Sequence, residues 1–565
     1  MNLRVVAFVC LAFAYMVNTN AQVNIPGSAQ PGLLEEQIQR PERDEAPEAG
    51  ALPEMPRQPM IEGAEDIMFV LKSVELQNSS VYSAEDIMPL YEELVGQEIS
   101  LARVYDLANE ITKKYRNDGY ILTQVVVPEQ DIDDGQVVLV AVEGFIDQIN
   151  IEYQNDVDRR TERFFDRMVY EIRKVRPLTA EALERQLLLM NDLPGVTARA
   201  IIEPSDVTPK AADLNIVVTT KAADAYVSVD NRGSRFVGPL QMQGGITFNE
   251  LFGHTNELDV RAATAGQTRE LKLIEGRFTQ EICPNGCDVE FLASYTESQP
   301  GYTLEAFDVE SENLTLEAKL SYPIWRARAQ NLEAYGTFSF RNLSTDSSGT
   351  PLNEDRIRAL RAGLTWNKAD QNYGVTAANV EVSQGLEVLD ASDTPRSTPA
   401  SRANAEADFT KIEVNVSREQ FIPGTRFSLY GAVSGQYTEN ELYSSEQFTL
   451  GGSNFGRGYD PSEITGDTGA AAKAEVRYLH TIDETKYIDS NEYYAFYDIG
   501  YVRNLSLSAG DSTTRQTLSS AGVGVRVAAF NDIDVNVEVA KPLTRDVAVE
   551  GDDDARVFFQ VSKAW

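Results

Sequence analysis

An arginine between two glycines is the side chain of this sequence best placed to hold a carboxylate. Arg457 lies in the stretch FGRGYDP, residues 455–461. A guanidinium stays charged at any working pH and binds a carboxylate through two parallel hydrogen bonds. Because glycine permits turns and Pro461 cannot continue a strand ladder, the sequence predicts a long loop over residues 451–469.

The partner of this arginine is predicted on a strand that follows the loop. In the stretch AFYDIG, residues 495–500, a period of two places Phe496, Asp498 and Gly500 on one face. We therefore expect an ion pair between Arg457 and Asp498. From the loop alone, a solvated arginine on a surface loop is the simpler alternative, and it stays open at this point.

The composition argues against nucleic-acid binding and against enzymatic chemistry. The 565 residues include 50 Lys and Arg against 87 Asp and Glu, a formal net charge of −37, whereas a phosphate backbone needs clustered cations. His254 and His480 are the two histidines and lie far apart, and the stretch GGSNF, residues 451–455, lacks the last glycine of a nucleophile elbow. We expect no catalytic residues, no metal site, no cofactor and no nucleic-acid partner.

Two of the three cysteines are candidates for a disulfide. Cys283 and Cys287 bracket a Pro-Asn-Gly turn. In an oxidising compartment, this pair would close the end of a hairpin. A zinc site is the weaker alternative, because structural zinc takes four ligands.

The N-terminal residues have the pattern of an exported chain. Residues 1–21 combine an early arginine, a short apolar stretch and small residues at a cleavage position, which predicts a signal peptide. No later apolar run reaches the roughly 20 residues of a spanning helix. Residues 22–65 have the Pro-, Glu- and Ala-rich composition of a linker, with a short helix predicted at about 31–41. Disorder of the whole segment is the alternative.

Residues 66–144 predict a small unit with the order β-α-α-β-β, and residues 145–221 repeat that order. In the first unit, strands are expected over 69–77, 120–127 and 136–143, with helices beginning after Ser83 and Ser100. A repeated α+β unit predicts a binding arm, because the edge of a small sheet can accept a strand from a partner. A pair of inert spacers is the alternative.

Residues 222–565 change to a period of two, with about sixteen strand-like segments, an even count typical of an outer-membrane β-barrel. Their polar positions often carry full charges, while the opposite positions are Val, Leu, Ala and Tyr. Short turns alternate with long loops, and the last segment ends on the aromatic Trp565, a candidate assembly signal. A soluble β-sandwich, whose apolar face points inward, is the second interpretation.

The mature chain resembles the TpsB transporters of two-partner secretion, the haemolysin secretion/activation type. In residues 66–144 the resemblance rests on Tyr115, Gly119, Tyr120, Pro128, Gln130, Gly135, Glu143 and Gly144, which match the first POTRA domain of that family. Residues 145–221 are similar to a second POTRA domain. In residues 222–565 it rests on Arg457, Gly458, Tyr459, Gly466 and Asp467 of a lumen-folded loop, and on Phe496, Asp498, Gly500 and Glu475 of the barrel wall.

The resemblance implies a membrane barrel of about 16 antiparallel strands behind two periplasmic POTRA domains, with a helix near 31–41 that plugs the pore. It implies export of an unfolded partner exoprotein of the adhesin or haemolysin class. Outer-membrane lipid and, during biogenesis, the barrel-assembly machinery are the other partners expected. A passive pore, an insertase for other barrels and a barrel-borne lipase are the alternatives, the last disfavoured by the scarcity of histidine.

Overall fold

The structure is a computed structural model that describes residues 25–38, 60–132, 134–155, 157–205, 207–208, 211–249, 251, 256–392, 398–481, 488–505, 515–529 and 532–565. The predicted signal peptide and most of the predicted linker lie outside these ranges. Within them, none of the helices has the length and apolar content needed to cross a bilayer. The chain forms an N-terminal segment, two small α+β units and a closed β-barrel.

The N-terminal segment lies inside the barrel. It consists of a 3₁₀ turn, Gly27–Ala29, and helix α1, Pro31–Gln37. Proline at the first helical position fits the start of this helix, because a helix leaves its first N–H groups without intrahelical partners. The helix ends at Gln37, whereas the sequence predicts its end near residue 41.

The first unit has more strands than its sequence predicts. Its elements are strands β1 Met68–Val70, β2 Ser73–Gln77, β3 Glu98–Ser100, β4 Gln124–Val126 and β5 Gln136–Val142, helices α2 Ala84–Ile87 and α3 Leu101–Asn117, and 3₁₀ turns Met88–Leu90 and Glu92–Leu94. Strands β2, β5 and β4 form one sheet in that order, and β1 pairs with β3. The side chains of Ser83 and Ser100 cap α2 and α3, as the sequence predicts.

Two strand predictions for the first unit are wrong in extent. The strand expected over 69–77 is divided, because Leu71 bonds to Gln97 while Lys72 bonds to Gly135, so the chain changes partners between them. The strand expected over 120–127 shortens to β4, since residues 120–123 form a turn that carries Leu122 into the core of the second unit.

The second unit repeats the architecture more simply. It contains β6 Phe145–Tyr153, α4 Arg159–Arg173, α5 Ala180–Asn191, β7 Val196–Pro204 and β8 Ala211–Thr220. The sheet order is β6-β8-β7, with β6 parallel and β7 antiparallel to β8. Helices α4 and α5 bury Phe164, Phe165 and Met190 against this sheet. In both units, the central strand is therefore flanked by two strands that, within the described ranges, pair on one side only.

The barrel closes through sixteen antiparallel strands. They are β9 Ala223–Asp230, β10 Gln241–Asn249, β11 Asn256–Ala265, β12 Lys272–Glu281, β13 Asp288–Ser298, β14 Val309–Arg326, β15 Gln330–Ser347, β16 Thr350–Ala369, β17 Gly374–Gly385, β18 Thr410–Phe421, β19 Phe427–Thr438, β22 Thr468–Thr481, β23 Ile488–Arg503, β24 Arg515–Ala529, β25 Ile533–Pro542 and β26 Arg556–Ala564. Between β19 and β22, two short strands, β20 Phe448–Leu450 and β21 Ile464–Gly466, pair only with each other.

The faces of the barrel exclude the soluble-sandwich interpretation. On β14, Leu316 and Leu320 are 41% and 54% exposed on the outside, whereas Asn313 and Thr315 are 0% and 2% exposed on the inside. A soluble sandwich would bury the leucines and expose the polar residues. The outer surface is thus apolar and the lumen polar, the arrangement of a wall that stands in lipid.

The second unit is docked on one end of the barrel. Arg326, at the end of β14, binds Asp192 through a fork of two hydrogen bonds of 2.7 and 2.5 Å. Arg185 of α5 donates to the carbonyl oxygen of Pro323 at 2.9 Å. Beside this contact, Cys283 and Cys287 form the disulfide that closes the turn between β12 and β13. The same end carries the chain terminus, where Trp565 and Ala225 exchange backbone hydrogen bonds.

Candidate functional site

The segment between β19 and β22, residues 439–467, folds back into the barrel and is here called the lumen loop. It begins earlier than the loop predicted over 451–469, because β19 ends at Thr438, and residues 468 and 469 already belong to β22. The β20–β21 pair brings the two arms of the loop together, and residues 451–463 form its tip. The sequence does not predict this hairpin, because a strand of three residues is too short to show a period of two.

Arg457, at the tip, contacts the barrel wall through its whole guanidinium group. Its Nε and Nη2 atoms donate to the two carboxylate oxygens of Asp498 at 3.0 and 2.7 Å. Its Nη1 atom donates to Glu475 at 2.5 Å and lies 3.7 Å from Glu538. The ring of Phe496 lies 3.6 Å from the guanidinium carbon, in cation–π geometry. The arginine is 3% exposed, which excludes the solvated-arginine alternative.

Asp498 also fixes the backbone of the tip. One of its oxygens accepts the N–H groups of Gly456 and Arg457 at 3.2 and 3.0 Å. This carboxylate, which is 0% exposed, is therefore compensated by side-chain and main-chain donors together. Burial alone would lower the pKa of Arg457, but the hydrogen bond and the charge of Asp498, with Glu475 and Glu538, raise it above its ordinary value.

Further cations balance the three wall carboxylates. Glu475 accepts from Arg477 at 2.8 Å and lies 3.5 Å from Arg526, and Glu538 pairs with Arg232 at 3.1 Å. The result is a network that joins the loop to strands β22, β23, β24 and β25. Glu475 is predicted at this wall from the sequence, whereas the alternation of β25 predicts Glu538 in the lumen but not beside Arg457.

Tyr459 and Asp460 anchor the tip beyond the arginine. The Tyr459 hydroxyl accepts the N–H groups of Thr544 and Arg545 at 3.3 Å and lies 3.2 Å from the Ser519 carbonyl oxygen. Asp460 accepts from Arg556 at 2.6 Å. Between Arg457 and Tyr459, Gly458 approaches the wall so closely that a Cβ atom would lie 2.8 Å from the Pro542 nitrogen, so only glycine fits there.

The return of the loop is held by Asp467. It accepts the N–H groups of Leu442 at 2.9 Å and Leu505 at 2.7 Å, and it forms a fork with Arg402 of the long loop between β17 and β18. Gly466, one residue earlier, packs against Val502, and Gly500 of the wall packs against Leu450 of the loop. The structure thus brings every predicted loop and wall residue to the same side of the lumen.

Helix α1 packs beside the lumen loop. Leu34 and Ile38 belong to an apolar cluster with Val237, Leu271 and Leu304 near one mouth of the barrel. Glu35 accepts from Asn313 and Thr315 of β14 at 3.1 and 3.0 Å, and Arg261 of β11 donates to the carbonyl oxygen of Ile38 at 3.0 Å. The helix therefore occupies the lumen and contacts the wall on strands other than those of Arg457.

The predicted motif of the first unit falls into two groups. In one, Glu143 accepts the N–H groups of Ser80 and Val81 at 2.8 and 3.2 Å and the Tyr115 hydroxyl at 3.2 Å. Burial, together with the charge of Glu143, raises the pKa of Tyr115 to about 12. The ring of Tyr120 packs edge-on against Tyr115. These contacts tie helix α3 to the sheet.

The other motif residues make contacts with the backbone, and two of them form the joints between the first and second units. Gly119 and Gly144 accept backbone hydrogen bonds from Ala180 and Leu178 of the second unit, at 2.7 and 3.0 Å. Gln130, two residues after Pro128, pairs with both backbone groups of Val138 at 2.7 Å, and Gly135 bonds to Lys72. The two units are therefore connected by main-chain contacts in addition to the peptide link.

Comparisons with known proteins show which protein family has this arrangement. Residues 212–527 match the family model described as haemolysin secretion/activation protein ShlB/FhaC/HecB. The chain belongs to this family. Residues 69–144 match the model of the ShlB-type POTRA domain.

Relatives of the family extend the match to most of the chain. The heme/hemopexin transporter protein HuxB of Haemophilus influenzae is 25% identical over 501 residues, 86% of this chain and 85% of HuxB. The outer membrane transporter CdiB of Dickeya dadantii is 24% identical over 475 residues, 82% of this chain and 80% of CdiB. The solved structure of CdiB from Escherichia coli has the same fold, with a TM-score of 0.72 at 19% identity, covering 90% of this chain and 93% of that one.

Membership confirms the fold, location and class of function predicted from the sequence. The protein is a TpsB-type outer-membrane transporter of two-partner secretion, with its POTRA domains in the periplasm, and it exports an exoprotein. The family acts with secreted exoproteins of the TpsA type.

Proposed function

We propose that the Arg457 network keeps the lumen loop in a transport-competent position while an unfolded exoprotein crosses the barrel. The carrying observation is that one loop arginine meets three wall carboxylates within 3.7 Å while it is almost fully buried. Leaving a buried charge without its partner costs roughly 3–5 kcal/mol, so the tip has one strongly preferred seat. A passive pore does not require a loop that is fixed inside its lumen by a buried ionic network.

The lumen beside the loop suits an unfolded chain. A cavity of about 910 Å³ lies next to Arg457 and is bordered by charged and amide side chains, including Glu475, Arg477, Arg526 and Gln436. A wet wall of mixed charge offers few apolar patches on which an extended chain would stick. We propose this cavity as part of the export path, with no catalytic step in it.

The periplasmic units would select the exoprotein by strand addition. Strands β2 and β4 in the first unit, and β6 and β7 in the second, pair on one side only among the described residues. An added strand gains main-chain hydrogen bonds at such an edge, and side-chain pockets supply selectivity. The joints at Gly119 and Gly144 would pass the captured segment along a connected arm that is docked on the barrel.

Helix α1 would act as the plug of the resting pore. Its burial in the lumen and its contacts with β11 and β14 support this role. During export it must leave, because the helix and an exoprotein segment would compete for the same lumen. Outer-membrane lipid around the apolar wall and the barrel-assembly machinery during biogenesis complete the proposed partners.

The proposed function is tested by comparing culture supernatants from cells with the intact gene, with no gene, and with a variant lacking residues 66–221. We expect one large secreted protein to disappear in both mutant cultures. Secretion that survives deletion of residues 66–221 would identify a passive pore. A general fall in outer-membrane proteins in place of one missing exoprotein would identify an insertase.

A further inference from the structure

We propose that Glu446, with two cations of the barrel wall, forms a second anchor of the lumen loop, and that this anchor supports the surface on which helix α1 is seated. The inference rests on the proposed role of α1 as plug. It assigns to Glu446 the control of plug seating, separately from the Arg457 network.

The second anchor is built around a buried carboxylate at the start of the lumen loop. Glu446 ends the 3₁₀ turn Ser444–Glu446 and is 2% exposed. It accepts from the guanidinium of Arg361 on β16 at 2.7 Å and lies 3.0 Å from the ammonium of Lys411 on β18. The amide of Gln436 on β19 donates to its carbonyl oxygen at 3.0 Å. A charge at this depth is stable only when paired, so these contacts fix the turn against the wall.

This anchor is distinct from that of Arg457 in place and in sign. The Arg457 network uses carboxylates on β22, β23 and β25, whereas the Glu446 cluster uses cations on β16 and β18. At one point the loop supplies the cation, and at the other it supplies the anion. The Arg457 network therefore does not replace the Glu446 contacts if these are lost.

Helix α1 rests directly on the turn that Glu446 holds. A Cβ atom on Gly32 would lie 2.3 Å from the Cβ atom of Ser445 and 2.6 Å from Leu343. The helix thus approaches the turn to a distance that only glycine permits. Since Ser445 precedes Glu446, a shift of the turn moves the surface beneath the helix.

A second contact links the same segment to the tip of the loop. A Cβ atom on Gly27 would lie 2.3 Å from the carbonyl oxygen of Ser462. The plug segment therefore touches the lumen loop at two places, the turn at Glu446 and the tip that carries Arg457. Release of the Glu446 arm alone should loosen α1 while the tip stays clamped by Arg457.

The test uses the full chain carrying Leu33→Cys as a probe. Leu33 is 0% exposed in α1, Cys283 and Cys287 are bonded to each other, and Cys10 lies in the predicted signal peptide, so in the processed protein the new thiol reports on the helix. The rate of labelling by a water-soluble maleimide and the conductance in planar bilayers are measured for Leu33→Cys alone and with Glu446→Gln added. We expect labelling about tenfold faster and a raised conductance, because a hydrogen bond to a charged group shifts an equilibrium by that order.

Glu413→Gln is the matched control. Glu413 lies 3.1 Å from Lys411 but makes no ion pair with the loop in the described part of the chain. Its variant should label at the parent rate. Equal effects of Glu413→Gln and Glu446→Gln would overturn the proposal, since a general change in lumen charge would then explain both.

Gly32→Ala tests the seat without changing any charge, and heat-modifiable migration in gels verifies barrel folding for each variant. If Glu446→Gln fails to fold, Gly32→Ala decides the question, and parent-like labelling by it would overturn the seat. Deletion of residues 25–38 separates the two proposals. Raised conductance in the deletion, with parent-like Glu446→Gln and Gly32→Ala, contradicts the second anchor alone. Unchanged conductance in the deletion contradicts the plug function itself.

Discussion

The lumen loop is held at its tip and near its start by contacts of opposite polarity. At the tip, Arg457 enters a group of carboxylates, whereas near the start Glu446 enters a pair of cations. A loop fixed at one point could swing about it, while two unlike contacts allow a single orientation. The order of the two charges along the loop therefore specifies its position. Arg457 would be repelled by the cations that bind Glu446, and Glu446 would be repelled by the carboxylates that bind Arg457.

Removal of the tip cation should have the largest effect. Arg457→Ala leaves Asp498, Glu475 and Glu538 without their shared cation, a loss of roughly 3–5 kcal/mol for a buried pair that the wet lumen reduces. We expect export to fall by more than about tenfold while the barrel still assembles. Secreted exoprotein in the medium and heat-modifiable migration measure the two quantities. Normal export by this variant would refute the role of the network.

Neutralising one carboxylate at each anchor should separate the effects of the two contacts. Asp498→Asn keeps an acceptor for the tip but loses the charge, so export should fall several-fold with the conductance close to that of the parent. Glu446→Gln should do the reverse, raising conductance while export is retained. Both quantities are measured on the same membranes. A common response of the two variants would show that the anchors act as one unit.

A charge reversal should restore only part of the function. In Arg457→Asp with Asp498→Arg, the new arginine lies opposite Lys473 on β22, and the new aspartate lies near Glu475 and Glu538, so each reversed charge has a repelling neighbour. We expect export above that of Arg457→Asp alone and well below the parent. Full recovery would mean that Asp498 is the only partner that matters for transport, and no recovery would argue against a direct pair.

The smallest effect is expected outside the lumen. Arg326→Ala removes the fork to Asp192 between the barrel and the second unit, where Asp192 is 41% exposed. Exposed pairs contribute about 0–1 kcal/mol, so export should change less than twofold. Quantitative immunoblots of the medium can resolve this difference from the tip variants. A loss as large as that of Arg457→Ala would place a transport-determining contact at this interface.

The two anchors also differ in how far they can be predicted from the sequence. Arg457 is recognisable because it stands between glycines, and the period of two around Asp498 assigns a face to its partner. The same alternation places Glu538 in the lumen but not at the height of Arg457, which depends on how the wall curves from β22 to β25. Glu446 carries no local signal at all, since Arg361 and Lys411 meet it only after the loop has folded inward.

A similar division applies to the periplasmic units. Helix α3 was predictable from the Ser100 cap and its apolar face, because both signals are local. Strand β3 and the turn over residues 120–123 were not, since each is defined by a partner distant in sequence, such as Met68 for Ser100. The repeated β-α-α-β-β order predicted the two units, but the joints at Gly119 and Gly144 carry no sequence signal, because they form only when the units pack together.

The barrel is closed by pairing between its first and last strands. Strand β9 pairs with β26 from Asp230–Gln560 to Tyr226–Ala564, and the Asn231 side chain bonds to the backbone of Val557 and Phe559. Every other ladder joins strands that follow one another in the barrel, so hairpins can form while synthesis is incomplete. The final ladder cannot form early. Until it forms, the sheet has two edge strands whose unpaired backbone N–H and C=O groups are energetically costly in lipid. Insertion must therefore wait for the whole polypeptide, which makes protection of the unfinished sheet a requirement of its biogenesis.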